Sequence, residues 1–217
     1  MMEVIGFLMR VLLLKGFLKP FLWLFLGVKF KYQEKLDFEH GKIIIANHNS
    51  HVDALAILCC VPIRFLHKVH PVVARDYFYK TKMTRILAKL ILNSVSVARN
   101  KEFKSPLAQC EKLLKKNHSL IIFPEGTRGK AGELQEFKHG VSILLSKYPD
   151  VSILPVYCEG FGDLMPKGEW MVLPFNSSLQ FGRSRILAEN MSVQEKTNIM
   201  KQEILSLAPE QKGVQHV

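Results

Sequence analysis

The chain has 217 residues, 48% of them apolar, and carries 30 Lys and Arg against 19 Asp and Glu, a formal charge of +11. That length suits one α/β domain with a small accessory element, and the charge favours polyanionic partners: nucleic acid, anionic lipid headgroups or phosphorylated substrates. Cys59, Cys60, Cys110 and Cys158 show no CxxC spacing and no matching His pattern, and the adjacent pair sits in an apolar run, which reads as buried free thiols in a reducing compartment.

The first thirty residues are the most hydrophobic stretch. A spanning helix needs about 20 mostly apolar residues, yet Arg10, Lys15 and Lys19 interrupt at short intervals and no signal-peptide cleavage site follows. Pro20 predicts a break, giving a hydrophobic hairpin of two short helices. Lys15 and Lys19 share a helical face, while Phe17, Leu18, Phe21, Trp23 and Phe25 supply bulky surface. Residues 1–33 therefore read as a monotopic membrane-interface element, its cations directed at an anionic membrane surface. The alternative is a hairpin packed on its own domain.

Residues 34–190 form the predicted main domain. KIIIA at 42–46 reads as a buried strand and 54–61 as the helix after it; 71–74 is a short apolar run, 80–92 has helical periodicity, and Val95 and Val97 alternate as in a strand. Residues 106–116 predict an amphipathic helix, 119–123 a strand closed by Pro124, 137–145 a helix, and 151–157 and 178–182 two further strands. Residues 191–217 predict a polar helix and a tail. Alternation of strands with helices of about ten residues predicts an α/β fold with a mostly parallel central sheet flanked by helices.

Polar residues gather where such sheets place their sites, just past strand ends. In IIIANHNSHVDAL, at 43–55, Asn47, His48, Asn49, Ser50, His51 and Asp53 follow the strand at once. In a regular helix, residues five apart are separated by about 140° and 7.5 Å. His48 and Asp53 therefore meet only if His48 lies on the loop and Asp53 in the first helical turn. Ser50-x-x-Asp53 is also a capping-box-like pattern, so plain helix initiation competes with chemistry. A carboxylate that holds one ring nitrogen of a His fixes its tautomer and frees the other to take a proton. His51 competes for the base role but falls at the helix start.

The second cluster, LIIFPEGTRG at 120–129, ends a strand at Pro124 and places Glu125, Gly126, Thr127 and Arg128 in a turn. Gly126 admits close backbone approach to a ligand, and Arg128 offers a planar donor fork suited to phosphate. Alone, this cluster would read as a polar turn with a solvated Arg.

Together the two clusters resemble the lysophospholipid acyltransferase family. Asn47, His48 and Asp53 match its Asn-His-x4-Asp motif, and Phe123 to Arg128 match its Phe-Pro-Glu-Gly-Thr-Arg motif in full. Phe137-Lys138-x-Gly140, Ile153 to Val156, Pro166 to Gly168 and Phe181-Gly182 resemble further blocks, so the likeness runs over residues 40–187. The block NSVSVARN departs from the pattern: Asn93 or Ser94 stands where Gly is common, although Arg99 is kept.

The resemblance implies a glycerol-phosphate acyltransferase-like fold and an enzyme of phospholipid biosynthesis with His48 and Asp53 as catalytic residues. Arg99, Glu125, Gly126, Thr127 and Arg128 would serve the phosphorylated acceptor. It further implies transfer from acyl-CoA or acyl-carrier protein to a lysophospholipid, foremost 1-acyl-sn-glycerol 3-phosphate giving phosphatidic acid. No cofactor, metal or nucleic-acid partner is expected, and the implied place is the cytoplasmic face of the inner membrane. The rival readings are an acyltransferase for another lyso-lipid such as a lyso-ornithine lipid, and a non-catalytic membrane- or nucleic-acid-binding protein.

Overall fold

The computed structural model describes residues 2–50, 52–74, 91–97, 107–129, 134–161 and 177–209. Over these residues a seven-stranded sheet has the order β1-β7-β6-β2-β5-β3-β4. The strands are β1 Lys29–Tyr32, β2 Lys42–Ala46, β3 Val69–Ala74, β4 Val95–Val97, β5 Ser119–Ile122, β6 Ser152–Glu159 and β7 Ser178–Phe181. β2 to β6 run parallel to one another; β7 is antiparallel to β6, and β1 is parallel to β7. The mostly parallel sheet is as expected. β1 was not expected: its Lys29 and Lys31 are exposed and mask the strand signal, as charge on an edge strand does.

The pleat sorts the core. Ile44, Ile121, Leu154 and Val156 face one side with α3, Asp53–Cys60. Ile43, Ile45, Leu120 and Ile153 face the other, beneath α4 Ala108–Leu114, α5 Gly140–Lys147 and α6 Val193–Leu205. α5 begins three residues later than the expected helix, because Lys138 N–H is drawn to Pro124 O at 2.9 Å and the preceding segment lies along the second motif. Ser192 and Glu195 start α6 with a reciprocal capping box. The expected helix at 80–92 falls almost entirely outside the described residues.

The hairpin expected at Pro20 is replaced by one unbroken helical stretch: α1 Met2–Val11, a π-helical segment Leu12–Leu18, and α2 Lys19–Leu24. The joints at Val11 and Lys19 both keep right-handed helical dihedrals (φ −61°, ψ −49°). Pro20 sits in the first turn of α2, where a missing N–H is tolerated. The wider π turn before it sends Lys19 N–H to Leu14 O, five residues back.

This helix turns its cations inward. Lys15 Nζ donates to Cys59 O at 2.7 Å and to Leu58 O and Val61 O, the unsatisfied carbonyls at the end of α3. Arg10, itself buried, donates toward Leu66 O at 3.5 Å. Burial lowers Lys15 to about 8. Leu14 and Leu22 pack into the α3 side of the core, whereas Leu12 is 72% exposed and Trp23 65%, with Val4, Leu8, Phe17, Leu24 and Phe25 also outward. The expectation that Arg10 and Lys15 meet headgroups is therefore corrected: both cations face the domain alongside Leu14 and Leu22, and a second apolar face of the helix is turned out. None of the described helices is long and apolar enough to cross a membrane.

Candidate active site

β2 and β5 are neighbours, with Ile45 opposite Ile122. Three residues beyond that register pair stand His48 and Glu125, so the strand register itself brings the two motifs together. His48 N–H donates to Glu125 Oε1 at 2.8 Å, and Gly129 N–H donates to His48 O at 3.0 Å. Asn47, one residue past β2, uses its side-chain amide as a backbone mimic: Nδ2 donates to Cys158 O at 2.8 Å and Oδ1 accepts from Cys158 N–H at 2.7 Å. It clamps the loop to β6.

His48 lies on the loop and Asp53 opens α3, the one arrangement in which residues five apart can pair here. His48 Nδ1 lies 2.9 Å from Asp53 Oδ2. That same oxygen accepts the backbone N–H groups of Asn49 and Ser50, both at 2.8 Å. Asp53 is fully buried, and its Oδ1 has no donor among the described residues. A carboxylate gathering backbone donors asks His48 to present Nδ1–H, leaving Nε2 as the acceptor. The His48 side chain is 22% exposed, so it is not sealed from solvent. The capping reading holds in part: Asp53 takes Ser50 N–H, but the Ser50 hydroxyl accepts from Val52 N–H at 3.3 Å instead of completing the box.

Glu125 lies beneath the site. It is 2% exposed, and its second oxygen accepts Gln135 N–H at 3.0 Å. Burial pushes its carboxyl upward, while the Gln135 and His48 N–H groups pull it back. Gly126 has φ +71°, and a Cβ there would meet the Lys138 side chain, with Nζ at 2.8 Å. Thr127 Oγ1 donates to Gln135 Oε1 at 3.2 Å, and Arg128 follows, partly buried. The second motif thus folds as a tight turn sewn to residues 135–138. Arg99, His51 and Pro166 to Gly168 lie outside the described residues.

Three contributions escaped sequence reasoning, although Phe123 and Lys138 stood in quoted blocks. The Phe123 ring stacks on the His48 imidazole, centroids 4.1 Å apart at 20°. Gln135 and Lys138 hold the turn, and Gln135 gave no sequence signal at all. Phe123 stood in the quoted motif but read only as the end of a strand. The four cysteines are free and buried, as expected. Among the described residues, no group of three or more His, Cys, Asp or Glu converges as a metal site.

The sequence model of the family described as Acyltransferase matches residues 27–159. Over 67 residues the chain is 42% identical to a chloroplastic 1-acyl-sn-glycerol-3-phosphate acyltransferase of Arabidopsis thaliana, covering 31% of this chain and 18% of that one. It is 33% identical over 113 residues to the 1-acyl-sn-glycerol-3-phosphate acyltransferase of Helicobacter pylori, 51% of this chain and 46% of that. With the protein of the same name from Borreliella burgdorferi it shares 27% over 173 residues, 77% and 64% of the two lengths. The chain thus spans less than two thirds of each of these relatives. The crystal structure of the 1-acyl-sn-glycerophosphate acyltransferase of Thermotoga maritima superposes with a TM-score of 0.69, at 23% identity, over 87% of this chain and 74% of that one. That likeness is one of fold.

Proposed function

The chain belongs to the acyltransferase family, and from that premise we propose that it moves an acyl group from acyl-CoA or acyl-carrier protein to the free hydroxyl of 1-acyl-sn-glycerol 3-phosphate, giving phosphatidic acid. One observation carries the mechanism: Asp53 occupies His48 Nδ1, leaving Nε2 as the ring nitrogen that can accept a proton, on a side chain 22% exposed. His48 Nε2 takes the hydroxyl proton as the oxygen attacks the thioester carbonyl. The new C–O bond forms, the C–S bond breaks, and the leaving thiolate receives the proton. Asp53 holds the tautomer and stabilises the transient imidazolium. Arg128, with Arg99, binds the acceptor phosphate; Glu125 orders the turn and the base. No cofactor enters this scheme.

The outward apolar face of α1 and α2 supports a monotopic place on the cytoplasmic face of the inner membrane, where a lipid acceptor and a soluble donor meet. With Arg10 and Lys15 turned inward, vesicle binding should depend on apolar insertion more than on anionic lipid. Joint replacement of Leu12, Phe17, Trp23 and Phe25 by Ser should abolish sedimentation with vesicles and leave the far-UV spectrum intact. The function itself is tested by presenting purified protein with 1-acyl-sn-glycerol 3-phosphate, an unphosphorylated lyso-lipid and a lyso-ornithine lipid, each with both donors. Phosphatidic acid should be the principal product. Preference for the lyso-ornithine acceptor would overturn the substrate assignment, and no acyl transfer to any acceptor would overturn the activity.

A further inference from the structure

We propose that Phe123 is a positioning residue whose ring face stabilises the positive charge that builds on His48 as it takes the acceptor's proton; the inference rests on His48 being the base. His48 is held in three ways. Glu125 and Gly129 fasten its backbone, Asp53 fixes one ring nitrogen, and Phe123 lies against the plane of the ring at 4.1 Å. Phe123 is well placed for this: it follows β5 directly, precedes the buried Pro124, and packs against the α3 side of the core. A ring anchored in that way can fix the imidazole plane, with Nδ1 taken by Asp53 and Nε2 left to act.

Shape alone would make any apolar side chain of similar volume adequate. An aromatic face adds something an aliphatic chain lacks, a quadrupole that attracts cations. A neutral imidazole gains little from it, whereas an imidazolium gains more. The interaction is therefore stronger in the transition state than in the resting enzyme, which is the condition for accelerating the chemical step. Asp53 approaches the edge of the ring and Phe123 its face, so the two contributions act along different directions.

The test keeps the shape and changes the electrons. Phe123 is replaced by mono-, di- and trifluorinated phenylalanines, which draw charge from the ring face, and separately by Phe123→Tyr and Phe123→Leu. Across the fluorinated series kcat should fall stepwise, by about 2- to 30-fold in all, the range a cation–π contact provides. KM for the acceptor and the melting temperature should hold, and Phe123→Tyr should keep most turnover. If Phe123→Leu fails to fold, the near-isosteric fluorinated series still decides. A flat series, or a change confined to KM, overturns the inference while an inactive His48→Ala leaves the base assignment standing. An active His48→Ala overturns the base assignment and the inference together.

Discussion

The two ends of α3 solve opposite problems with opposite charges. At its first residue, Asp53 is a buried acceptor that collects backbone N–H groups from Asn49 and Ser50 and the ring of His48. At its last turn, Lys15 is a donor that collects the carbonyls of Leu58, Cys59 and Val61. A helix leaves donors unsatisfied at one end and acceptors at the other, and its dipole favours anions at the first and cations at the second. The pattern extends beyond α3. Glu125 gathers N–H groups at the candidate site, past the ends of β2 and β5, while near the starts of β3 and β4 Arg10 approaches Leu66 O and His70 Nδ1 lies 2.8 Å from Asn93 O. Carboxylates hold the candidate-site end and bases hold the far end. The proposed chemistry falls at the first because a carboxylate already present to satisfy backbone donors can also orient a His.

The largest expected effect breaks the catalytic end alone. Asp53→Asn should cost on the order of 10⁴ in kcat by favouring the wrong tautomer, with the melting temperature little changed. Steady-state kinetics beside a thermal melt checks both halves; loss of fold in step with loss of rate would show that Asp53 serves α3 and not His48.

A medium effect belongs to the far end. His70 Nε2 lies 2.7 Å from His118 Nδ1, and burial lowers His70 from 6.5 to about 4. Between those pH values the unfolded chain binds a proton that the folded chain refuses. Stability from this group is complete above about pH 6.5 and is lost as pH falls toward 4, by roughly 3 kcal/mol at most. Denaturant titrations at pH 7 and 4.5 should show the loss in the wild type and a smaller one in His70→Gln. Equal acid sensitivity would move the titrating group elsewhere.

The smallest effect sharpens the contrast most. Lys15→Met removes the donor from the last turn of α3 and should lower stability by about 1 kcal/mol, while kcat of the folded enzyme stays within about twofold. A tenfold loss in kcat would mean that the two ends of α3 are mechanically linked.

Local patterns that decide local structure were readable in the sequence. Three consecutive Ile announced β2, and the spacing of His48 and Asp53 required a loop-to-helix junction, which is what the chain forms. β1 was hidden because the lysines that protect an edge strand also erase its apolar pattern. The N-terminal periodicity predicted amphipathicity, but the face taken by the domain depends on where the carbonyls of α3 end, 43 to 46 residues further along the chain from Lys15 and brought beside it only by the fold. Glu125 stood in a quoted motif, yet its grip on the His48 backbone follows from the register of β2 against β5. Pairings across a sheet are set by the whole core, and no single segment carries them.

Those cross-sheet bonds also set a timetable. The carboxylate that grips the backbone of His48 comes 77 residues later in the chain, and the backbone that clamps Asn47 comes 111 residues later. During synthesis the apolar helix and the base emerge first, long before either partner exists. Contacts of such separation form late, once the intervening chain has collapsed. A growing chain can therefore present its apolar helix while His48 is still unaimed, and the ring is held in place only when β5 and β6 close on β2.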